Sequence, residues 1–157
     1  MTDLNDYEVL LMVDPDKNTL YPFSAFGFTV TQDPVARTLA RSTGLLFLGA
    51  DGIVRRIAGM HADNPGFFSR LGAVVGLGAI GIKVDLAEVP VTLDAFKVLV
   101  VNGLRTYREQ LGGEDENWTL IQRSAADAEA TIAATSSFAE LYKTLELPMA
   151  EDCLDLL

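Results

Sequence analysis

The chain has 157 residues, of which 49% are hydrophobic and 22% are charged, and its formal net charge at pH 7 is −10. This length predicts one domain, residues 1–157, and the composition excludes an intrinsically disordered chain. The one cysteine, Cys153, excludes an intrachain disulfide and a cysteine-rich metal site within these residues.

The charge is distributed unevenly along the sequence. Residues 1–33 hold six acidic and one basic residue, residues 34–108 hold five and nine, and residues 109–157 hold eleven and two. Excess carboxylates repel the phosphates of nucleic acid, so we expect no nucleic-acid partner. The same charge suits a basic protein partner, and it also keeps a protein soluble. The acidic start, "MTDLNDYEVL", and the short apolar stretches predict a cytoplasmic protein without membrane association.

The first elements in chain order are predicted strands, a turn and a helix. The segment "YEVLLMV" (7–13) is apolar on both faces, which is typical of a central strand. The segment "DPDKN" predicts a turn, and the alternating aromatic segment "FSAFGFTV" (23–30) predicts a second strand. Asp33 and Pro34 are typical of the start of a helix, which we expect to run to Gly44.

The middle of the chain contains a clear hairpin and an ambiguous glycine-rich segment. The segments "LLFL" (45–48) and "IVRRIAG" (53–59) flank "GADG", which predicts a β-hairpin with Arg55 and Arg56 on opposite faces. The next residues, "HADNPG", predict a loop that contains His61, the single histidine. Residues 71–85 are compatible with a hairpin of "GAVV" and "GIKVDL", and also with a glycine-rich helix.

The last third is predicted to be mostly helical. Apolar residues at spacings of three and four predict one continuous, largely buried helix from a Thr92 cap to Leu111. Gly103 inside it indicates a close approach by another backbone. The segment "NWTLIQ" (117–122) predicts a strand, and Ser124 and Ser137 begin two capping boxes, the second of which opens a helix that Pro148 ends.

The glycines Gly76, Gly78 and Gly81 follow an apolar run with the spacing of a dinucleotide-binding turn. Such a turn needs a strand before the glycines and a helix after them. Here Pro90 ends the following segment after fewer than three turns, so the pattern favours a hairpin bend over a nucleotide site. A nucleotide-binding module using these three glycines remains an alternative function.

Asp14 and Asp16 come directly after the first predicted strand, in "LLMVDPDKNTL". This segment resembles the first motif of the haloacid-dehalogenase-like phosphatases, strand-DxDGTL, although Lys17-Asn18 stands where that family has one glycine. The resemblance implies a magnesium-dependent phosphatase in which Asp14 attacks phosphorus and Asp16 acts as acid and base. The alternative is a polar turn in which the aspartates bond their own backbone.

Two further features indicate interaction surfaces. The acidic segment containing Glu114, Asp115 and Glu116 adjoins Trp118, the only tryptophan, and we interpret these four residues as a candidate partner-binding site. A buried Trp118 in the core explains the same pattern. The apolar helix 93–111 is compatible with a homodimer face or with burial inside the monomer.

We therefore expect a single-domain α+β protein with an antiparallel or mixed sheet packed against two or three helices. The sequence holds no metal cluster, nucleophile–base pair or complete phosphate loop, so we assign no catalytic, cofactor-binding or metal-ligating residue. A small acidic binding protein, such as an inhibitor or immunity-type protein that engages a basic partner, fits best. The phosphatase and the nucleotide-binding module are the alternatives.

Overall fold

A computed structural model describes residues 2–3, 9–23, 44–62, 82–111 and 118–148. The elements within these residues are β1 (Thr2–Asp3), β2 (Leu10–Asp14), β3 (Thr19–Phe23), β4 (Leu46–Leu48), β5 (Val54–Ala62), β6 (Ile82–Glu88), α1 (Leu93–Leu111), α2 (Thr119–Gln122), α3 (Ala125–Ala133) and α4 (Phe138–Leu145). The strands form one sheet in the order β1-β6-β5-β4-β2-β3, and every neighbouring pair is antiparallel. The predicted single α+β domain is confirmed. The described residues contain four helices rather than the two or three expected.

Strand β2 lies inside the sheet, between β4 and β3, and both of its faces are buried. Leu11 and Val13 belong to the main core, which also contains the buried side chains of the helices. Leu10 and Met12 alternate with them and belong to a second apolar cluster on the opposite face of the sheet. The apolar run therefore contributes side chains to two apolar clusters, one on each face of the sheet, which confirms the predicted central strand.

Strand β3 is an edge strand of the described sheet, and the sequence did not predict it. It pairs with β2 across the turn at residues 15–18, with Asp14 opposite Thr19 and Leu11 opposite Pro22. Proline has no N–H to donate, so within sheets it is found on edge strands. The predicted strand at 23–30 and the helix that begins at Asp33 lie outside the described residues, apart from Phe23 and Gly44.

The predicted hairpin is confirmed as β4 and β5, with Leu48 opposite Val54. Gly52 adopts φ +74°, which favours glycine, and its N–H donates to the carbonyl of Gly49 at 3.0 Å. A Cβ at Gly52 would lie 2.8 Å from the backbone nitrogen of Ala139, so the hairpin turn packs against the first turn of α4. Strand β5 continues to Ala62, so the prediction of a loop at His61 is wrong.

Helix α1 is one continuous element, as its spacing predicted. The Thr92 hydroxyl oxygen accepts a hydrogen bond from the Ala95 N–H at 3.3 Å, which caps the first turn. A single stripe is fully buried, comprising Phe96, Val100, Gly103, Leu104 and Tyr107. Val98 is 58% exposed, so the prediction of a largely buried helix is wrong.

Gly103 lies against a side chain rather than a neighbouring backbone. A Cβ at this position would come within 2.8 Å of Cγ and 2.7 Å of Cδ2 of Leu20, on β3. The glycine therefore lets α1 approach the sheet closely enough to cover Leu20, which is 1% exposed.

The predicted strand at 117–122 is wrong, because residues 119–122 form the single-turn helix α2. In both predicted capping boxes the serine hydroxyl accepts the expected hydrogen bond. Ser124 accepts from the Asp127 N–H at 3.2 Å, and Ser137 accepts from the Glu140 N–H at 3.1 Å. In the usual capping box the glutamate side chain accepts from the backbone N–H of the N-cap residue, here Ser137. The carboxylate of Glu140 instead contacts the residue before Ser137. It accepts from both the backbone nitrogen and the hydroxyl of Ser136, each at 2.7 Å.

Helix α4 ties the end of the described chain to the central part of the sheet. The Tyr142 hydroxyl donates to the backbone carbonyl of Val9 at 2.8 Å, across 133 positions of sequence. Val9 directly precedes β2, so this bond joins α4 to the start of the central strand.

Candidate functional site

Asp14 and Asp16, the residues of the phosphatase-like motif, lie at the start of the turn between β2 and β3. One oxygen of the Asp14 carboxylate accepts hydrogen bonds from the backbone nitrogens of Asp16 and Lys17, at 3.0 and 3.3 Å. Asn18 completes the turn with φ +50°. The carboxylate of Asp14 thus supports the turn that carries Asp16, which is the arrangement expected of a polar turn.

The glycine motif leads into a strand and not into a helix. Gly76, Gly78 and Gly81 lie outside the described residues, but β6 begins at Ile82, directly after the last of them. Strand β6 is antiparallel to both of its neighbours, β5 and β1. A dinucleotide-binding turn places phosphate at the N-terminus of a helix that the glycines open. The described segment after Gly81 therefore lacks the element on which that chemistry depends.

Trp118 belongs to the main core. Its side chain is fully buried, its Nε1 donates to the carbonyl of Leu145 at 2.7 Å, and its ring lies 5.1 Å from that of Tyr107 in an edge-to-face arrangement. A side chain without exposed surface has no area to offer a partner, so Trp118 anchors the fold instead. The acidic residues Glu114, Asp115 and Glu116 lie outside the described residues, directly before this anchor.

Other binding chemistries find little support in the part of the chain that the structure describes. No group of three His, Cys, Asp or Glu side chains there is arranged to hold a metal ion. No helix among the described ranges is both long enough and apolar enough to cross a bilayer.

The basic residues of the helices mostly contact acceptors within the domain. Lys97 donates to the carbonyls of Ala133, at 3.1 Å, and Thr135, at the end of α3. Arg108 donates to the carbonyls of Ile121 and Leu120, at 2.9 and 3.2 Å, at the end of α2. A cation at a helix C-terminus offsets the partial negative charge of the last carbonyls. Both cations therefore hold neighbouring helices together.

Arg105 of α1 and Arg123, which directly follows α2, are paired with carboxylates. Arg105 donates through Nε and Nη2 to both oxygens of Glu129, at 2.8 and 3.0 Å, and Arg123 lies 3.7 Å from Glu146. The hydrogen bond from Arg105 lowers the pKa of Glu129 below its ordinary value, and Glu129 raises the pKa of Arg105 in return. Of the four cations in the described helices, only Lys143 has no such partner in these residues.

Besides Glu140, which accepts hydrogen bonds from Ser136, three carboxylates of the same helices are exposed at the surface. Asp94, Glu109 and Asp127 are exposed, and none of them takes part in an ion pair among the described residues. We call these three residues the acidic rim. In the helices, Lys97 and Arg108 thus contact backbone carbonyls and Arg105 is paired with Glu129, whereas the acidic rim forms no ion pair among the described residues.

An open groove of about 400 Å³ runs between α1 and α3. Val98, Val101 and Ile132 form its apolar part, and Asp94, Lys97, Arg105 and Glu129 are the charged residues that line it. The apolar residues of α1 were expected in the core, because periodicity does not distinguish a buried stripe from an exposed one beside it.

A buried ion pair inside the hairpin was also missed. Arg55 is 5% exposed and donates through Nη1 and Nη2 to the two carboxylate oxygens of Asp51, at 3.1 and 2.6 Å. The strand pattern placed Arg55 and Arg56 on opposite faces without identifying the partner of either, yet the i, i+4 spacing of Asp51 and Arg55 across the turn was visible in the sequence. Because the pair lies within one hairpin, it is a structural feature and not a surface for an anionic ligand.

No family model, curated protein or solved structure matches the chain.

Proposed function

We propose that this protein is a small acidic binding module, of the inhibitor or immunity type, that engages a basic surface of another protein. The observation that carries the proposal is the orientation of charge in the helices. Lys97, Arg105, Arg108 and Arg123 contact acceptors within the domain, whereas the acidic rim faces solvent. Complementary charge of this kind accelerates encounter and excludes partners of the same sign.

The acidic segment at Glu114, Asp115 and Glu116 extends the same surface chemistry along the sequence. It is bounded by the end of α1 at Leu111 and by Trp118, whose indole is fixed in the core. Residues 109–157 hold eleven acidic residues against two basic ones. In this proposal the carboxylates contact the partner, and Trp118 holds the adjoining chain in place.

The experiment is affinity capture from a soluble extract of the source cells, with the full chain as bait. The proposal expects one stoichiometric basic protein, and its retention should fall steeply between about 50 and 300 mM salt because exposed charge pairs are screened within a Debye length. The variant E114Q/E116Q should weaken capture. The variant D16N/E88Q also removes two carboxylates, from exposed positions in the turn and the sheet, and it should leave capture unchanged.

Two outcomes would overturn the proposal. One is capture of a partner that resists high salt and is equally insensitive to both variants. The other is magnesium-dependent hydrolysis of a phosphate ester that disappears in D14N, which would identify the protein as an enzyme.

A further inference from the structure

The outer surface of α1 carries a pattern that is complementary to itself. With 3.6 residues per turn, Asp94, Val98, Val101 and Arg105 fall within an arc of about 60°, on the side of the helix away from its buried stripe. Asp94 and Arg105 are exposed, Val98 is 58% exposed and Val101 is half-buried. We call these four residues the outer stripe.

The outer stripe is symmetric about the point between Leu99 and Val100. Asp94 and Arg105 are equally far from this point, and so are Val98 and Val101. An antiparallel copy of α1, related by a two-fold axis at this point, would place each aspartate opposite an arginine and each Val98 opposite a Val101. Lys97 and Asn102, which also line the groove, become opposite one another by the same operation.

We propose that two copies of this chain associate through antiparallel packing of their α1 outer stripes. A two-fold interface uses the same patch on both subunits, so that residue i meets residue j and residue j meets residue i. The outer stripe places opposite charges at both ends and apolar side chains in the middle.

The ion pair within the chain leaves Arg105 able to make this contact. Glu129 uses its Nε and Nη2 atoms, and the Arg105 side chain is nevertheless 59% exposed. Asp94 is exposed and has no ion-pair partner among the described residues. The groove beside the stripe, of about 400 Å³, provides room for the Val98 side chain of the second copy against Val101, which is half-buried.

A second copy satisfies this surface better than a basic partner does. The charged residues that line the groove are two acids and two bases, so the patch is neutral within a chain of net charge −10. The contact covers roughly 18 Å of helix, which is less than a standard interface, and we expect a weak dimer with a Kd on the order of 0.1 mM. This inference does not depend on the proposed acidic binding function.

The test is sedimentation equilibrium of the full chain at concentrations up to about 1 mM. The proposal expects a reversible monomer–dimer equilibrium that V98E shifts at least tenfold toward monomer. The control A95E adds the same side chain at an exposed position of the same helix, and it should leave the equilibrium unchanged. The symmetry operation sets Ala95 opposite Leu104, which is buried in the core, so position 95 does not face the second copy.

A charge exchange tests the register of the two helices. D94K and R105E each place like charges opposite one another and should be monomeric alone. An equimolar mixture should form a 1:1 dimer, because the lysine introduced at 94 then meets the glutamate introduced at 105, and the native Arg105 meets the native Asp94. Association of the mixture also shows that both variants are folded.

The proposal is overturned by a wild-type chain that remains monomeric at about 1 mM, by a dimer that V98E leaves intact, or by a mixture of D94K and R105E that does not associate. Dependence of a heterologous partner on Val98, with a monomeric wild-type chain, would assign the groove to that partner instead.

Discussion

The indole nitrogen of Trp118 and the carbonyl oxygen of Leu145 are joined by a 2.7 Å hydrogen bond in the core of the domain. Trp118 directly precedes the single-turn helix α2, and Leu145 is the last residue of α4. The bond therefore satisfies a carbonyl at the end of α4, where the helix itself supplies no partner.

We expect W118F to reduce the free energy of unfolding by about 2–3 kcal/mol, because it leaves a buried carbonyl without its donor and removes part of a packed ring. The measurement is urea unfolding followed by far-UV circular dichroism, since the variant lacks the only tryptophan. The control V98A removes apolar atoms at an exposed position and should change stability by less than about 0.5 kcal/mol. Equal stability of W118F and the wild type would contradict the assignment of Trp118 to the core.

Gly103 provides a second test of packing. In isolation, alanine in a helix is favoured over glycine by about 1 kcal/mol. At this position a Cβ would lie within 2.8 Å of Leu20, which is 1% exposed and has little room to move. We therefore expect G103A to destabilise the protein by about 1–3 kcal/mol.

The effect should reverse when Leu20 is shortened. In the background of L20A, the added methyl group fills space, and G103A should be neutral or stabilising by up to about 1 kcal/mol. A double-mutant cycle measured by urea unfolding gives the coupling between the two positions. Additive effects would mean that the close contact between Gly103 and Leu20 does not decide the outcome.

The ion pair between Arg55 and Asp51 predicts an asymmetry between single and double variants. Removing Asp51 leaves a guanidinium that is nearly buried, and D51A should cost about 2–4 kcal/mol. Replacing both residues, in D51A/R55M, removes the buried charge and should cost less than D51A alone. The measurement is chemical unfolding near neutral pH, and a double variant less stable than D51A would refute this account of the hairpin.

The link between α3 and α4 should weaken in acid. Hydrogen bonds from the backbone and side chain of Ser136 lower the pKa of Glu140, and the charge of Lys97 acts in the same direction. A lowered pKa in the folded state adds stability above the unfolded pKa, and that stability is lost as the pH falls below the ordinary glutamate pKa of about 4.3 and through the lower folded pKa. Unfolding measured across this range should depend less on pH in E140Q than in the wild type, and identical profiles would exclude the contribution of Glu140.

Variants of Asp14 distinguish a structural role of this residue in the turn from a catalytic one. Because its carboxylate oxygen accepts from two backbone N–H groups, D14A should lose about 1 kcal/mol of stability. D14N keeps an acceptor oxygen and should retain the wild-type unfolding midpoint. Both chains should lack magnesium-dependent phosphatase activity above background, and activity in the wild type that D14N abolishes would favour the phosphatase.

Local patterns predicted the elements whose signals come from neighbouring residues. The Thr92–Leu111 helix, the hairpin across Gly52 and the caps at Ser124 and Ser137 all depend on spacings of a few residues, and all four are confirmed. The Asp14 turn was likewise visible as one of two alternatives, because aspartate before proline bonds its own backbone.

The errors arose where distant residues decide the structure. The segment "WTLIQ" has the composition of a strand. In the structure, however, Trp118 is fixed in the core, and the carbonyls of Leu120 and Ile121 accept hydrogen bonds from Arg108. Strand β3 contains proline, and only its position at the edge of the sheet makes it acceptable. The exposed stripe of α1 could not be separated from the buried one, since both are apolar at helical spacing.

The hydrogen bond between Tyr142 and Val9 has a consequence for biosynthesis. A ribosome adds about 5–20 residues per second, so the strand that follows Val9 emerges roughly 7–27 seconds before the tyrosine that closes against it. β2 lacks α1 until Leu111 has been added and lacks α4 throughout the interval, because both helices are encoded later. Completion of this domain is therefore expected only after nearly all of the described chain has been translated, and nascent chains stalled before α4 should be sensitive to protease.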